Sequence, residues 1–377
     1  MDIQHISYDD LQAKVQLSRF AAANGAEELH AIYHVEGNRP FKAQLDAVLT
    51  AQERLLQTPQ MVGAQPVMVR YFLSDAANQS ALIPQPSCAL SIIQQPPLNG
   101  SKVGLWVYYV KQCALELKNN MTICQHNGYT HLWEMGMVSP DGDSATQTTA
   151  LLERYEQGLK DMGANITDNC IRTWFFVRDV DTQYMGMVRA RRDNFAENDL
   201  GPQTHFIAST GIGGVPAQQR AIIQLGAYAL KGFEPDQVRY LYAKTHLNST
   251  YEYGVTFERG TAVDYGDRRH VIISGTASIN NKGEVLHLGD VVAQTKRMWE
   301  NVEVLLAEAD TTFDDVMQIV IYLRDTADYD IVNRMFQEKF PKTPYIICLA
   351  PVCRPTWLIE MECWAVKAQK NERFREF

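Results

Sequence analysis

One spacing recurs three times along this chain and limits what it can fold into. A glutamine near the start of a helical stretch is followed by an aspartate that closes an apolar strand. The pairs are Gln44 and Asp75, Gln147 and Asp179, and Gln294 and Asp325, with separations of 31, 32 and 31 residues. Three positions before each Asp stands an aromatic: Phe72, Phe176 and Tyr322. The same order of elements surrounds each pair. A strand (27–35, 129–137, 270–279) precedes a helix (42–57, 147–162, 294–308). The helices carry apolar residues at i, i+3 and i+4, such as Leu45, Val48 and Leu49. An apolar strand then ends at the Asp, a run led by Pro86, Pro202 or Pro344 follows, and a last strand (102–110, 221–230, 358–366) closes the unit. Such self-similarity predicts units that cannot bury their faces alone. Mixed sheets with helices packed on one face, repeated three times, predict an α+β fold closed around a pseudo-threefold axis. The expected divisions are 1–125, 126–231, a connector at 232–256, and 257–377, with 1–25 read as a polar leader containing a short helical piece.

The last unit ends in the most chemically loaded stretch. Tyr345–Ala350 and Leu358–Val366 read as the two strands of a hairpin joined by the corner Pro351-Val352-Cys353-Arg354-Pro355. Alternation puts Glu360 and Glu362 on one face, with Ile359, Met361 and Cys363 on the other. Two carboxylates on an apolar strand are costly unless a cation or a proton answers them. The alternative is that both simply meet solvent or an arginine at a sheet edge.

Composition narrows the function classes. At 377 residues the chain exceeds one core, and 46% hydrophobic with 21% charged residues is ordinary for a globular protein. A net charge of -9 argues against a nucleic-acid partner, which needs a basic face. No apolar run approaches the length that spans a membrane, and the opening MDIQHISYDDLQ has no signal-peptide core. Seven scattered cysteines without a C-x-x-C pair read as free thiols, so a cytoplasmic location is expected. Gly211-x-Gly213-Gly214 lacks the helix and acidic residue of a nucleotide fingerprint. His30 and His34 have no third ligand in view, so neither a metal nor another cofactor is expected.

The third unit resembles the Rid (YjgF, L-PSP) family over about residues 257–367. The resemblance is carried by VIISGTASI, Gly283-Glu284, QTKRMWENVEVLLAEA, VIYLRDTADYD and LIEMECWAV. Rid proteins are trimers with sites between subunits, so three tandem Rid-like (chorismate-mutase-like) units imply that trimer fused into one chain, and a monomer. More of the chain resembles the chorismatases, which cleave chorismate to pyruvate and a hydroxybenzoate or dihydroxy acid. Here the matching residues are Ser274–Ile279, Cys353-Arg354 with Leu358 and Glu360, Arg172-Thr173-Trp174, Thr210–Gly213, Asp236–Val238 and Tyr253–Val263. Three positions depart from these patterns. Ile346 stands where Rid deaminases carry a carboxylate-holding arginine, with Cys88 and Thr204 in the other units. Asn280-Asn281-Lys282 replaces a Gly-His pair, and Glu234-Pro235-Asp236-Gln237 replaces Asn-Pro-Arg-Gln.

These resemblances imply an enzyme acting on a small carboxylate metabolite. Glu360 is the expected general acid, because burial on an apolar strand would keep it protonated near neutral pH. It would protonate an enolpyruvyl methylene and leave an oxocarbenium-like centre open to water. Cys353 would shape or polarise the pocket, or else be a small buried hydrophobe. Arg354 and Arg324 would fork onto carboxylates, unless Arg324 pairs with Asp325 or Glu362. Tyr322, Arg172 and Arg178 are further candidates for substrate binding, and Gly275, Thr276 and Ala277 would line the pocket through backbone groups. A Rid-type enamine or imine deaminase and a non-enzymatic metabolite-binding protein are the alternatives.

Overall fold

The computed structural model describes residues 1–377, the side chain of Tyr253 excepted. That residue opens the run Tyr253–Val263, so its side chain lies outside the described residues. Among the described residues the strands form three mixed sheets. In each, the last strand of the unit lies between the strand before the long helix and the strand after it. In the third sheet Ile359–Ala368 runs antiparallel to both Arg268–Ala277 and Val316–Leu323. Tyr345–Leu349 lies outside Val316–Leu323 and runs parallel to it. The same arrangement holds for Val103–Val110 in the first sheet and Ile223–Lys231 in the second.

The repeated glutamine acts as a staple. Gln44 Oε1 accepts the Lys102 N–H at 2.7 Å, Gln147 Oε1 that of Ile222 at 2.7 Å, and Gln294 Oε1 that of Leu358 at 2.9 Å. Each donor is the residue just before the last strand. Each amide NH2 donates to loop carbonyls: Gln44 to Arg39, Gln147 to Gly142 and Arg220, Gln294 to His287 and Thr356. A buried side-chain amide with both ends satisfied fixes where the final strand enters the sheet. The helices bury the stripes that the periodicity marked, for example Leu151, Leu152, Tyr155 and Leu159. Asp143 and Asp290 cap two of them by accepting the N–H groups of Thr146 and Ala293.

The three units close into a ring through one repeated contact. The chain just beyond each penultimate strand pairs with the penultimate strand of another unit. Val215–Pro216 pairs with Ile93–Gln94, Gly213 N donates to Pro351 O at 2.9 Å, and Leu98 N donates to Ile347 O at 3.0 Å. Third joins second, second joins first, and first joins third. Tyr108, Tyr228 and Trp364 occupy the same position in the three last strands. The Tyr108 and Tyr228 rings both stack or tilt against Trp364, 5.7 and 5.9 Å between centroids.

Three expectations need correction, and one helix was not expected at all. Residues 1–25 are not a leader but two strands, Asp2–Tyr8 and Ala13–Phe20, at the edge of the first sheet. Their alternation buries Ala13, Val15 and Leu17, a period of two hidden among polar neighbours. Tyr345–Leu349 and Ile359–Ala368 are not a hairpin, because Val316–Leu323 runs between them. The second sheet begins at Ala114–Lys118, ahead of the expected division at 126, and Val238–Leu241 from the expected connector joins the third sheet. Lastly, an unanticipated helix, Val180–Glu197, makes the crossover between two parallel strands. Its packed face uses Gly186, Arg191 and Asn194 among its apolar residues, so no aliphatic stripe announces it. No helix among the described residues is long and apolar enough to cross a membrane.

Candidate active site

The loop from Pro351 to Trp357 crosses the end of Val316–Leu323, where Ala350 N donates to Leu323 O and Arg324 N to Leu358 O. It meets the second sheet at the Ile212–Val352 bridge. Beside this seam lies a cavity of about 300 Å³ whose walls come from the second unit, the third unit and the segment between them.

Glu360 sits in this wall and is only 5% exposed. The strand register sets it between Ala277 and Tyr322. A bulge between Ile273 and Thr276 brings Gly275 against its carboxyl, so closely that a Cβ there would fall 2.1 Å from Oε1. Burial pushes the Glu360 carboxyl up to about 8; the charge of Glu362 adds to this, and Arg172 and Arg259 oppose it. It is therefore a protonated acid at neutral pH.

Glu362, two residues on, has the opposite surroundings. Its Oε2 accepts from Arg172 Nη2 at 2.7 Å and from Thr210 Oγ1 at 2.5 Å. Its Oε1 accepts from Trp174 Nε1 at 3.0 Å and from Arg70 Nη1 at 3.4 Å. Thr210 Oγ1 also accepts the Gly275 N–H at 2.9 Å, tying the ion-paired carboxylate to the backbone under the acid. The two carboxyl groups share a face, as alternation requires, yet one is neutralised by arginines and the other by a proton. Only one of three equivalent positions carries an acid. Counting two residues from each glutamine-bound N–H gives Glu360, Gly104 and Gln224, and Gln224 is closed off by its bond to Ser91 Oγ at 3.0 Å.

Three guanidinium groups converge on the cavity from separate segments: Arg191, Arg259 and Arg354. Arg191 donates to Ser209 Oγ and Thr256 Oγ1, both at 3.3 Å, and Arg259 donates to the Asn248 carbonyl at 3.1 Å. Arg354 donates to Gly283 O and lies over the Trp357 ring, 4.7 Å from its centroid. Cys353 borders the same space with Tyr184 hydrogen-bonded to its sulfur; burial pushes the thiol up to about 12, so it is no thiolate at neutral pH.

Of the residues singled out in the sequence, Glu360, Cys353, Arg354, Gly275 and Ala277 come together in this lining. The others lie outside it. Arg172 stands behind it in the Glu362 cluster. Tyr322 is fully buried beside the same cluster. Thr276 turns away, donating to Ser274 O at 2.9 Å. Arg178 ties down a loop through Ala221 O at 3.0 Å. Arg324 pairs with Asp181, at 2.8 and 3.0 Å, rather than with Asp325 or Glu362. Sequence reasoning missed Tyr184, Arg191, Ser209, Phe257, Arg259 and Trp357. Tyr184 and Arg191, two helical turns apart on the crossover helix, share a face, but only the ring of units turns that face toward Glu360.

A family model described as Endoribonuclease L-PSP matches residues 261–367. The 3-aminoacrylate deaminase RutC of Acinetobacter baylyi is 34% identical over 93 residues, covering 24% of this chain and 74% of that protein. A RutC family protein of Pyrococcus abyssi is 31% identical over 99 residues, covering 26% of this chain and 78% of the relative. A crystal structure of a chorismatase superposes with a TM-score of 0.67 at 16% identity, covering 91% of this chain and all of the other.

Proposed function

Since the chain belongs to the Rid (YjgF, L-PSP) superfamily and has the chorismatase fold, we propose that it is a chorismatase-like enzyme that hydrolyses an enol ether of a small carboxylate. The observation that carries this reading is the buried Glu360 carboxyl facing a cavity that Arg191, Arg259 and Arg354 also line. The arginines hold substrate carboxylates. The Glu360 carboxyl gives its proton to the enolpyruvyl methylene carbon, and the ether carbon becomes an oxocarbenium-like centre. Water adds to that centre and returns a proton to Glu360. The resulting hemiketal collapses, breaking the C–O bond to release pyruvate and the ring alcohol. The neutral Cys353 shapes the wall against the ring and takes no nucleophilic part.

Incubation with chorismate and assay of pyruvate tests this directly; absence of pyruvate at any pH between 6 and 8 overturns it. A Rid-type deaminase is the second reading, supported by the identity to RutC. Ile346, where those enzymes carry an arginine, speaks against it. Ammonia release from an aminoacrylate without pyruvate from chorismate would select it. Thermal stabilisation by chorismate without turnover of either compound would select a binding protein.

A further inference from the structure

A second cavity, of about 410 Å³, opens in the middle unit between the helix Ser144–Asp161 and the strands Met121–His126 and Tyr129–Val138. It shares no lining residue with the cavity around Glu360. Glu134 lies in its floor, directly across the ladder from Met121, and is only 6% exposed. Burial pushes its carboxyl up to about 7, opposed by the charge of Arg154; no hydrogen bond contributes. Among the described residues nothing donates to this carboxyl, which leaves it open to a donor that enters the cavity.

The helix passes over Glu134 at Gly158. A glycine inside a helix is less stable there than alanine. Packing does not demand it: a Cβ there would meet Met121 Cε at 3.4 Å and Glu134 Oε2 at 3.5 Å, ordinary contacts. The missing side chain instead leaves an open approach to the carboxyl. One turn earlier on the helix stands Arg154, steadied by the Val138 carbonyl at 3.2 Å, and Lys118 also lines the cavity. Asp161 is occupied by the Gln157 amide at 2.7 Å, and Lys231 by the Met162 carbonyl. Met121 and Met162 supply the apolar wall.

We propose that this cavity binds a zwitterionic α-amino acid, with its ammonium on Glu134, its carboxylate toward Arg154 and Lys118, and an apolar side chain along Met121 and Met162. A simple cation would leave Arg154 and Lys118 opposed to it, and a simple anion would leave Glu134 unanswered. An ammonium also drives the Glu134 carboxyl to ionise, so binding at pH 7 releases a proton. Burial pushes the Tyr155 hydroxyl well above its ordinary value, so it stays neutral at that pH, and the other charged groups lining the cavity are Arg154, Lys118 and Asp161.

The test is titration calorimetry of the full chain with norleucine, norleucinamide and N-acetylnorleucine. Norleucine should bind once per chain, with a heat that varies with the ionisation enthalpy of the buffer. Both derivatives should bind about tenfold more weakly or worse. Glu134→Gln should remove the proton release and most of the affinity. Gly158→Leu should block binding while the circular dichroism spectrum is unchanged. No binding of norleucine, equal binding of the amide, or affinity unaffected by Glu134→Gln would each overturn the proposal. The pyruvate assay reads the other cavity, so failure there and failure here are separable.

Discussion

Arg172 Nη2 lies 2.7 Å from Glu362 Oε2, although the two residues are 190 apart in the chain and belong to different sheets. Both side chains are nearly inaccessible, at 1% and 3%. Breaking a buried pair by removing one partner leaves a charge without compensation. Arg172→Met should therefore cost about 3–5 kcal/mol, read from urea unfolding. A loss below about 1 kcal/mol would mean that Arg70, Thr210 and Trp174 satisfy Glu362 without Arg172.

Glu360 should impose a pH dependence on both rate and stability. Its folded value of about 8 lies above the ordinary 4.5. Between those limits the fold holds a proton that the unfolded chain has released, so this group makes stability fall as pH rises from 4.5 to 8. Glu360→Gln removes that slope and should stabilise the protein at pH 8 by about 2 kcal/mol or more. It should lower the rate of pyruvate release about 10²-fold or more, and the wild-type rate should itself decline above pH 8. A flat wild-type profile through pH 9 would remove Glu360 from the role of acid.

Gly275→Ala is the sharpest steric probe of the site. Its Cβ would fall 2.1 Å from Glu360 Oε1 and 3.1 Å from Thr210 Cγ2, so the acid must move. Overpacking of this kind costs about 1–3 kcal/mol, and displacement of the acid should cost about 10²-fold in rate. Full activity in this variant would show that the carboxyl works from another position.

The glutamine staples predict equal sensitivity in all three units. Replacing Gln44, Gln147 or Gln294 by Ala leaves a strand-entry N–H and loop carbonyls unpaired. Each substitution should cost about 2–3 kcal/mol by thermal or urea unfolding. A neutral effect at one of them would separate that unit from the repeat.

Acid should weaken the centre of the molecule. Burial holds the imidazole of His30 down to about 3 and that of His126 down to about 4, with His131 well below its ordinary value. Below pH 6.5 the unfolded chain takes up protons that the fold refuses. Stability from these groups is therefore complete above 6.5 and lost as pH falls toward 4, by up to about 1.4 kcal/mol per pH unit for each histidine. Urea midpoints at pH 7 and pH 5 measure this, and His126→Asn should reduce the difference.

The sequence by itself determined the repeat, the helix and strand order around each Gln–Asp pair, and the face shared by Glu360 and Glu362. Those features follow from local periodicity, which a chain carries whatever its partners. It also marked Glu360, because an acid on an apolar strand stands out wherever that strand packs. What it could not determine was which charge meets which. Arg324 finds Asp181, Arg172 finds Glu362, and Arg191 and Arg259 reach the cavity, because the units close head to tail around one axis. The same closure decided that two neighbouring carboxyl groups differ. Arginines from the first and second units neutralise Glu362, while Glu360 opens on a cavity where desolvation holds its proton.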